Sequence, residues 1–191
     1  MDNFVVKEIV LLALPAAVFN GGAYVMSKLS GRPQVTQRLR DYAKAEDRTP
    51  LGLRIGGYNL EAVSRHWVAL DTATLKLERR ALELDLVFPF FYGGALAAAL
   101  LLAWAALNRP FDPVWLIVPV AITVVADWTE NLLQLGQLRL FEASGKDGLR
   151  SGWIQIASTA TTTKLAFFCG SSLLLIGLVV WMLVSGVARR A

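Results

Sequence analysis

The sequence predicts an all-α protein: a transmembrane four-helix bundle with a helical cytoplasmic insertion between spans one and two, folded as a single membrane domain over residues 1–191. Three observations predict it. Hydrophobic residues make up 55% of the chain and charged residues 18%, with a mean hydropathy of +0.48, whereas soluble domains sit near roughly 45–50% and about 25%. The charge is segregated, since residues 28–85 hold most of it and long stretches elsewhere hold almost none. Four of those stretches are long enough to cross a hydrocarbon layer, which takes roughly 20 helical residues.

The first span covers about residues 4–26, FVVKEIVLLALPAAVFNGGAYVM, with Lys7 and Glu8 near an interface. Pro15 is tolerable there, because neighbouring helices re-satisfy the carbonyl it frees. The segment before the apolar run is poor in basic residues and no small-x-small site follows it, which favours a retained helix over a cleaved signal peptide.

Residues 28–84 form the polar insertion. Ser30-Gly31-Arg32-Pro33 is a turn signal, followed by the mixed-charge run QVTQRLRDYAKAEDR, Pro50 and Gly56-Gly57. Asn59 is placed to cap a short amphipathic helix with Leu60, Val63, Trp67 and Leu70 on one face. His66 on that helix reads as part of an element lying on the membrane surface. Asp71 is placed to cap a longer helix that runs without a breaker into the second span, residues 86–107. Pro89 should kink that helix by freeing the carbonyl of Asp85.

Asn108-Arg109-Pro110 makes a turn into the third span, residues 114–138, whose first half is apolar and whose second half carries polar side chains. The fourth span, residues 153–184, opens with the Ser/Thr-rich run WIQIASTATTTK and continues as LAFFCGSSLLLIGLVVWMLV. Trp104, Trp115, Trp153 and Trp181 suit interfacial anchoring, and the small residues of spans two and four suit close packing in lipid.

Four spans put both termini on one side. Loops one and three carry fourteen Lys and Arg residues, and the opposite side four: Lys7, Arg109, Arg189 and Arg190. The positive-inside rule then places those loops in the cytoplasm and both termini outside it. The same flanking pattern accounts for the net charge of +4 and the pI of about 9.5, and no nucleic-acid-binding motif competes with it. One cysteine, Cys169, and one histidine, His66, leave no disulfide and no usual His or Cys metal centre. Cys169 reads as a small buried apolar residue. No metal or cofactor is expected, and no nucleophile-elbow, phosphate-loop or dinucleotide motif is present.

The candidate site lies in the last two spans. Charge at bilayer depth costs about 2.5–3.5 kcal/mol per residue on insertion scales, so such residues pair, face the interior or line a path. Asp127, Glu130, Asn131 and Gln134 fall at i, i+3, i+4 and i+7 and share one helical face. Spans three and four are antiparallel about a loop centred near Lys146 and Asp147, so Lys164 should lie level with Glu130 and within reach of Asp127. Ser158, Thr161 and Thr162 sit nearer the loop. Asp85 and Tyr92 in span two, and Asn20 and Tyr24 in span one, are expected to complete the lining of a small polar cavity open to the cytoplasm.

Two runs in the chain, LELDLVFPFFYGGALA (residues 82–97) and ADWTENLLQL (residues 126–135), resemble a loose group of uncharacterised small bacterial four-span integral membrane proteins. The resemblance covers roughly Gly57 to the end and implies a bacterial inner-membrane context; it supplies no activity, cofactor or substrate. Three functions stay open. The protein is a binding or partner subunit with the Asp/Glu/Lys cluster as its buried feature, a small proton- or ion-linked transporter, or a membrane-embedded enzyme acting on a lipid or isoprenoid substrate. Paired carboxylates suit acid–base or ion chemistry, and a lysine between them equally neutralises buried charge to fix packing. The expected partners are the lipid bilayer and either a second copy or another membrane protein, with no nucleic acid.

Overall fold

Caps, turns and one proline divide the chain into α-helices. The computed structural model describes residues 3–44, 48–108 and 110–188, and among these no strand occurs. Arg109, counted in the turn and the orientation, Arg189 and Arg190 at the C-terminus, and the middle of the mixed-charge run (residues 45–47) lie outside the described residues, as do the side chains of Lys7 and Glu8. The helices are α1 (Asn3–Ser30), α2 (Arg32–Tyr42), α3 (Leu60–Val68), α4 (Thr72–Asp85), α5 (Phe88–Ala106), α6 (Val114–Ser144) and α7 (Ser151–Ala188). Short 3-10 turns cover Leu51–Leu53 and Gly145–Gly148.

Local chemistry sets the boundaries of the insertion. The Asn59 side chain accepts from the Ala62 N–H at 2.9 Å and starts α3. Asp71 accepts from the Thr74 N–H at 2.8 Å and starts α4. Each satisfies a donor that the first helical turn leaves orphaned. α4 does not run on into α5 as a kinked helix. It stops at Asp85, the chain turns through Leu86 and Val87, and α5 begins with Pro89 in its first turn, where a missing N–H costs nothing. The carbonyls released by the break are taken up by α6. Asn131 Nδ2 donates to the Asp85 carbonyl at 3.3 Å, and Trp128 Nε1 donates to the Leu86 carbonyl at 2.9 Å. Buried carbonyls need such partners.

Three helical stretches are long and apolar enough to cross a membrane: Phe88–Ala106, Val114–Gly148 and Ser151–Ser185. At about 1.5 Å per residue, the 31 residues of α6 and the 38 of α7 reach about 46 and 57 Å, well past a hydrocarbon layer of about 30 Å. The surplus length is packed against the insertion, so the molecule has two apolar cores. One holds Leu96, Leu100, Ala103, Leu116, Val120 and Leu178 of α5, α6 and α7. The other joins Val35, Leu39, Leu51, Val63, Trp67 and Leu82 of the insertion to Leu135, Leu138, Ile154 and Ala157 of α6 and α7.

Two sequence expectations are corrected. α3 is an interior helix rather than one lying on a membrane surface, and His66 is fully buried, because Val63, Trp67 and Leu70 pack into the core and carry the histidine with them. Cys169 is exposed on α7, on a helix whose apolar half keeps most of its surface outward. Where α5 meets α6 at Gly93, a Cβ would come within 2.5 Å of a Val124 methyl. A side chain there would push the branched Val124 away from α5.

Candidate functional site

The site lies where the two cores meet. On α6, Asp127, Glu130, Asn131 and Gln134 form one stripe and are all buried, Glu130 completely. α7 runs antiparallel and brings Lys164 Nζ to 2.5 Å from Glu130 Oε2 and 3.1 Å from Asp127 Oδ1. Tyr92, one turn into α5, donates to Asp127 Oδ2 at 2.9 Å. Asn131 donates to Asp127 Oδ1 at 3.1 Å, in addition to its bond to the Asp85 carbonyl. Gln134 donates to Glu130 Oε1 at 2.9 Å and to the Tyr58 hydroxyl at 2.8 Å. Two carboxylates thus share one ammonium, and three neutral donors complete their shells, which is what a buried ionic group requires.

The insertion closes over this cluster. The Leu51–Leu53 turn lies against it with Leu51 buried. A Cβ on Gly52 would sit 2.9 Å from Glu130 Oε1 and 3.7 Å from Lys164 Nζ, so this close approach depends on a residue without a side chain. The Tyr58 N–H donates to the Ser158 hydroxyl at 2.7 Å and ties the same segment to α7. Burial, with the Glu130 charge added, pushes the Tyr58 phenol up to about 12, so it stays a neutral hydroxyl within the network.

A cavity of about 210 Å³ remains between the cluster, α1, α4 and the turn. That is room for roughly seven waters at about 30 Å³ each. Its walls differ in chemistry. Asp127, Glu130, Asn131, Gln134 and Lys164 line it together with Arg32, Glu78 and Asp85, while Phe19, Leu82, Phe88, Leu165 and Phe168 form apolar surface. Arg32, half exposed, forms an ion pair with Asp85. Burial pushes the Asp85 carboxyl up to about 6 against the pull of Arg32. Glu78 faces the buried His66, with Oε1 at 3.6 Å from Nε2. Burial alone would push its carboxyl up, but His66 and then Arg32 more than offset this and hold it below the usual carboxylate range.

The sequence-selected residues divide into three groups. Asp85, Tyr92, Asp127, Glu130, Asn131, Gln134 and Lys164 line the cavity. Ser158 and Thr161 lie behind it: Ser158 holds the Tyr58 amide, and the Thr161 hydroxyl, which donates to the Ala157 carbonyl at 3.0 Å, lies 3.3 Å from the Tyr58 hydroxyl. Thr162 donates to the Thr159 carbonyl within its own helix and is outside the lining. Asn20 and Tyr24 do not line the cavity either. Asn20 is exposed and donates to the Ala16 carbonyl at 2.7 Å, and Tyr24 is 65% exposed. The inward stripe of α1 is Pro15, Phe19 and Gly22, and Asn20 lies about 100° round the helix from Phe19.

Arg32, Glu78, Gly52, Tyr58 and Phe168 are parts of the site that sequence reasoning missed. The one local signal for the turn was the apolar word Pro50-Leu51-Gly52-Leu53 inside a polar segment. Among the described residues no group of three or more His, Cys, Asp or Glu side chains is placed to hold a metal ion; Lys164 takes the position between the carboxylates that a cation would occupy. Beyond Thr123 the interior of α5, α6 and α7 is closed by the apolar core around Leu100, Leu116 and Val120. Comparison with protein-family models, curated proteins and solved structures finds no match to this chain.

Proposed function

We propose that this protein is a four-span integral membrane protein of the bacterial inner membrane that acts as a binding or partner subunit, with the charged cavity as its binding site. α1 is the first span, the insertion and the adjoining ends of α6 and α7 form a cytoplasmic helical layer, and both termini are outside. The fourteen-to-four distribution of basic residues supports this orientation, and the runs at residues 82–97 and 126–135 support the bacterial context. Those two runs meet at the site, where Asn131 and Trp128 of one take the carbonyls of Asp85 and Leu86 of the other.

The observation that carries the binding reading is the cavity's mixed wall, charged where Arg32, Glu78, Asp85, Asp127, Glu130 and Lys164 line it and apolar at Phe19, Leu82, Phe88, Leu165 and Phe168. Small-molecule sites combine a mainly apolar lining with a few fixed polar groups in this way. The apolar half of α7 starts directly after Lys164 and α5 starts at Phe88, so the cluster sits at the cytoplasmic edge of the hydrocarbon layer, where charge is cheaper than at its centre. Transport through the bundle is less supported, because the core beyond Thr123 is apolar and packed. An enzyme acting on a lipid is less supported too, since Lys164, the one amine lining the cavity, is held between two carboxylates.

The test is native mass spectrometry of the full-length protein released from membranes in mild detergent, comparing wild type with Ala81→Phe, which fills the cavity from α4. A bound small molecule present in wild type and lost in the variant supports the reading. Identical spectra from two folded proteins overturn it. A reporter fused after Arg190 tests the orientation separately; a cytoplasmic signal contradicts it.

A further inference from the structure

We infer that the cavity takes an amphiphile with a primary ammonium head, the head against Asp127, Asp85 and Glu78 and the hydrocarbon tail leaving between α1 and α7; this rests on the binding reading above. The charge of the wall selects the head. Four carboxylates line the cavity (Glu78, Asp85, Asp127 and Glu130) against two cations, Arg32 and Lys164, a net of minus two. An anionic head beside these carboxylates meets that excess at close range, and a cationic one neutralises it. Within the pair on α6, the Asp127 side chain keeps some exposure, 8% against 1% for Glu130, so Asp127 is the carboxylate a head group can reach.

The tail is selected by the opposite wall. Phe19 of α1 and Leu165 and Phe168 of α7 border the cavity on the side of the apolar spans. α1 packs mainly along α5 and α4, and α7 mainly along α6 and α5. The wall between α1 and α7 is therefore a seam between helices that find their main packing elsewhere. Both helices carry exposed apolar side chains, Leu14 and Val18 on α1 and Phe167 and Leu174 on α7. The space of about 210 Å³ is smaller than usual pockets for whole drug-sized ligands, about 300–1,000 Å³. It fits a head and the first few carbons, with the remaining chain in lipid.

The test uses the purified full-length chain in a neutral maltoside detergent with four probes: dodecylamine, dodecanoate, ethanolamine and lysophosphatidylethanolamine. Dissociation constants are read by native mass spectrometry. The proposal expects dodecylamine to bind at least about tenfold more tightly than dodecanoate, which has the wrong charge, and than ethanolamine, which has no tail. Asp127→Asn should weaken dodecylamine about tenfold. If that variant does not fold, Phe168→Ala decides: it should weaken dodecylamine and leave ethanolamine unchanged. Competition by lysophosphatidylethanolamine assigns the ligand to membrane lipid, and absence of competition assigns it to free alkylamines; both keep the ammonium head. Dodecanoate binding as tightly as dodecylamine, and lost in Ala81→Phe, overturns the ammonium head while leaving the cavity a binding site. Binding of every probe unchanged by Ala81→Phe overturns both readings.

Discussion

Replacing Lys164 with methionine tests the internal logic of the site most directly. Methionine keeps the length and apolar stem of lysine and removes the ammonium that lies 2.5 Å from Glu130 and 3.1 Å from Asp127. Asp127 retains Tyr92 and Asn131, and Glu130 retains Gln134, but two carboxylates on adjacent turns then face each other without a counter-charge. Glu130 is fully buried and Asp127 nearly so, so neither carboxylate regains the hydration it has in bulk water. Breaking a buried ion pair from one side costs about 3–5 kcal/mol. For a chain of this size each kcal/mol shifts the midpoint by about 2–4 °C, so thermal unfolding in detergent should fall by about 6–20 °C. The double variant Lys164→Met, Asp127→Asn removes one charge of each sign from the cluster and should recover more than half of the loss. A single variant as stable as wild type, or a double variant no better than the single, refutes the view that Lys164 neutralises this pair.

Gly52→Ala places a methyl 2.9 Å from Glu130 Oε1 and should destabilise by about 1–3 kcal/mol, as overpacking does; the same midpoint measurement reads it. Trp128→Phe deprives the part-buried Leu86 carbonyl of its donor and should cost about 0.5–1.5 kcal/mol, the usual net worth of one hydrogen bond, with little change in helical content by circular dichroism. The raised Asp85 carboxyl makes stability depend on acidity. Between pH about 4 and 6 the folded protein holds a proton that the unfolded chain has released, so stability falls as pH rises across that window and levels off above it. Arg32→Gln removes the neighbour that pulls this carboxyl down and should extend the falling limb above pH 6 in a midpoint-against-pH series.

Where local rules apply, the sequence is legible in detail. Asn59 and Asp71 cap the helices that their spacing indicated, and the i, i+3, i+4, i+7 stripe on α6 collects Asp127, Glu130, Asn131 and Gln134. Antiparallel depth counting from the α6–α7 loop puts Lys164 level with Glu130, and their side chains meet. Face-sharing alone does not say which face points inward, and Asn20 and Tyr24 show the difference: α1 turns Phe19 and Gly22 to the bundle and leaves the polar stripe outside. Arg32, Gly52, Tyr58 and Glu78 reach the site over separations of about 45–110 residues, and no local period encodes contacts of that kind. His66 was misread because a helix with one apolar face fits a membrane surface as well as an interior. What decides between them is the extra length of α6 and α7, which gives α3 something to pack on.

The break between α4 and α5 has a consequence for how the molecule can move. Trp128 and Asn131 grip two successive carbonyls at the α4–α5 break, so α5 cannot rotate or slide past α6 without abandoning both bonds. Lys164 and the long seam with α6 hold α7 in the same way. These three helices therefore behave as one stator. Any admission of a ligand falls to the parts clipped onto it, namely α1 and the turn at Leu51–Leu53, and spin labels at Val18 and Leu53 would register movement that labels on α5 and α6 would not.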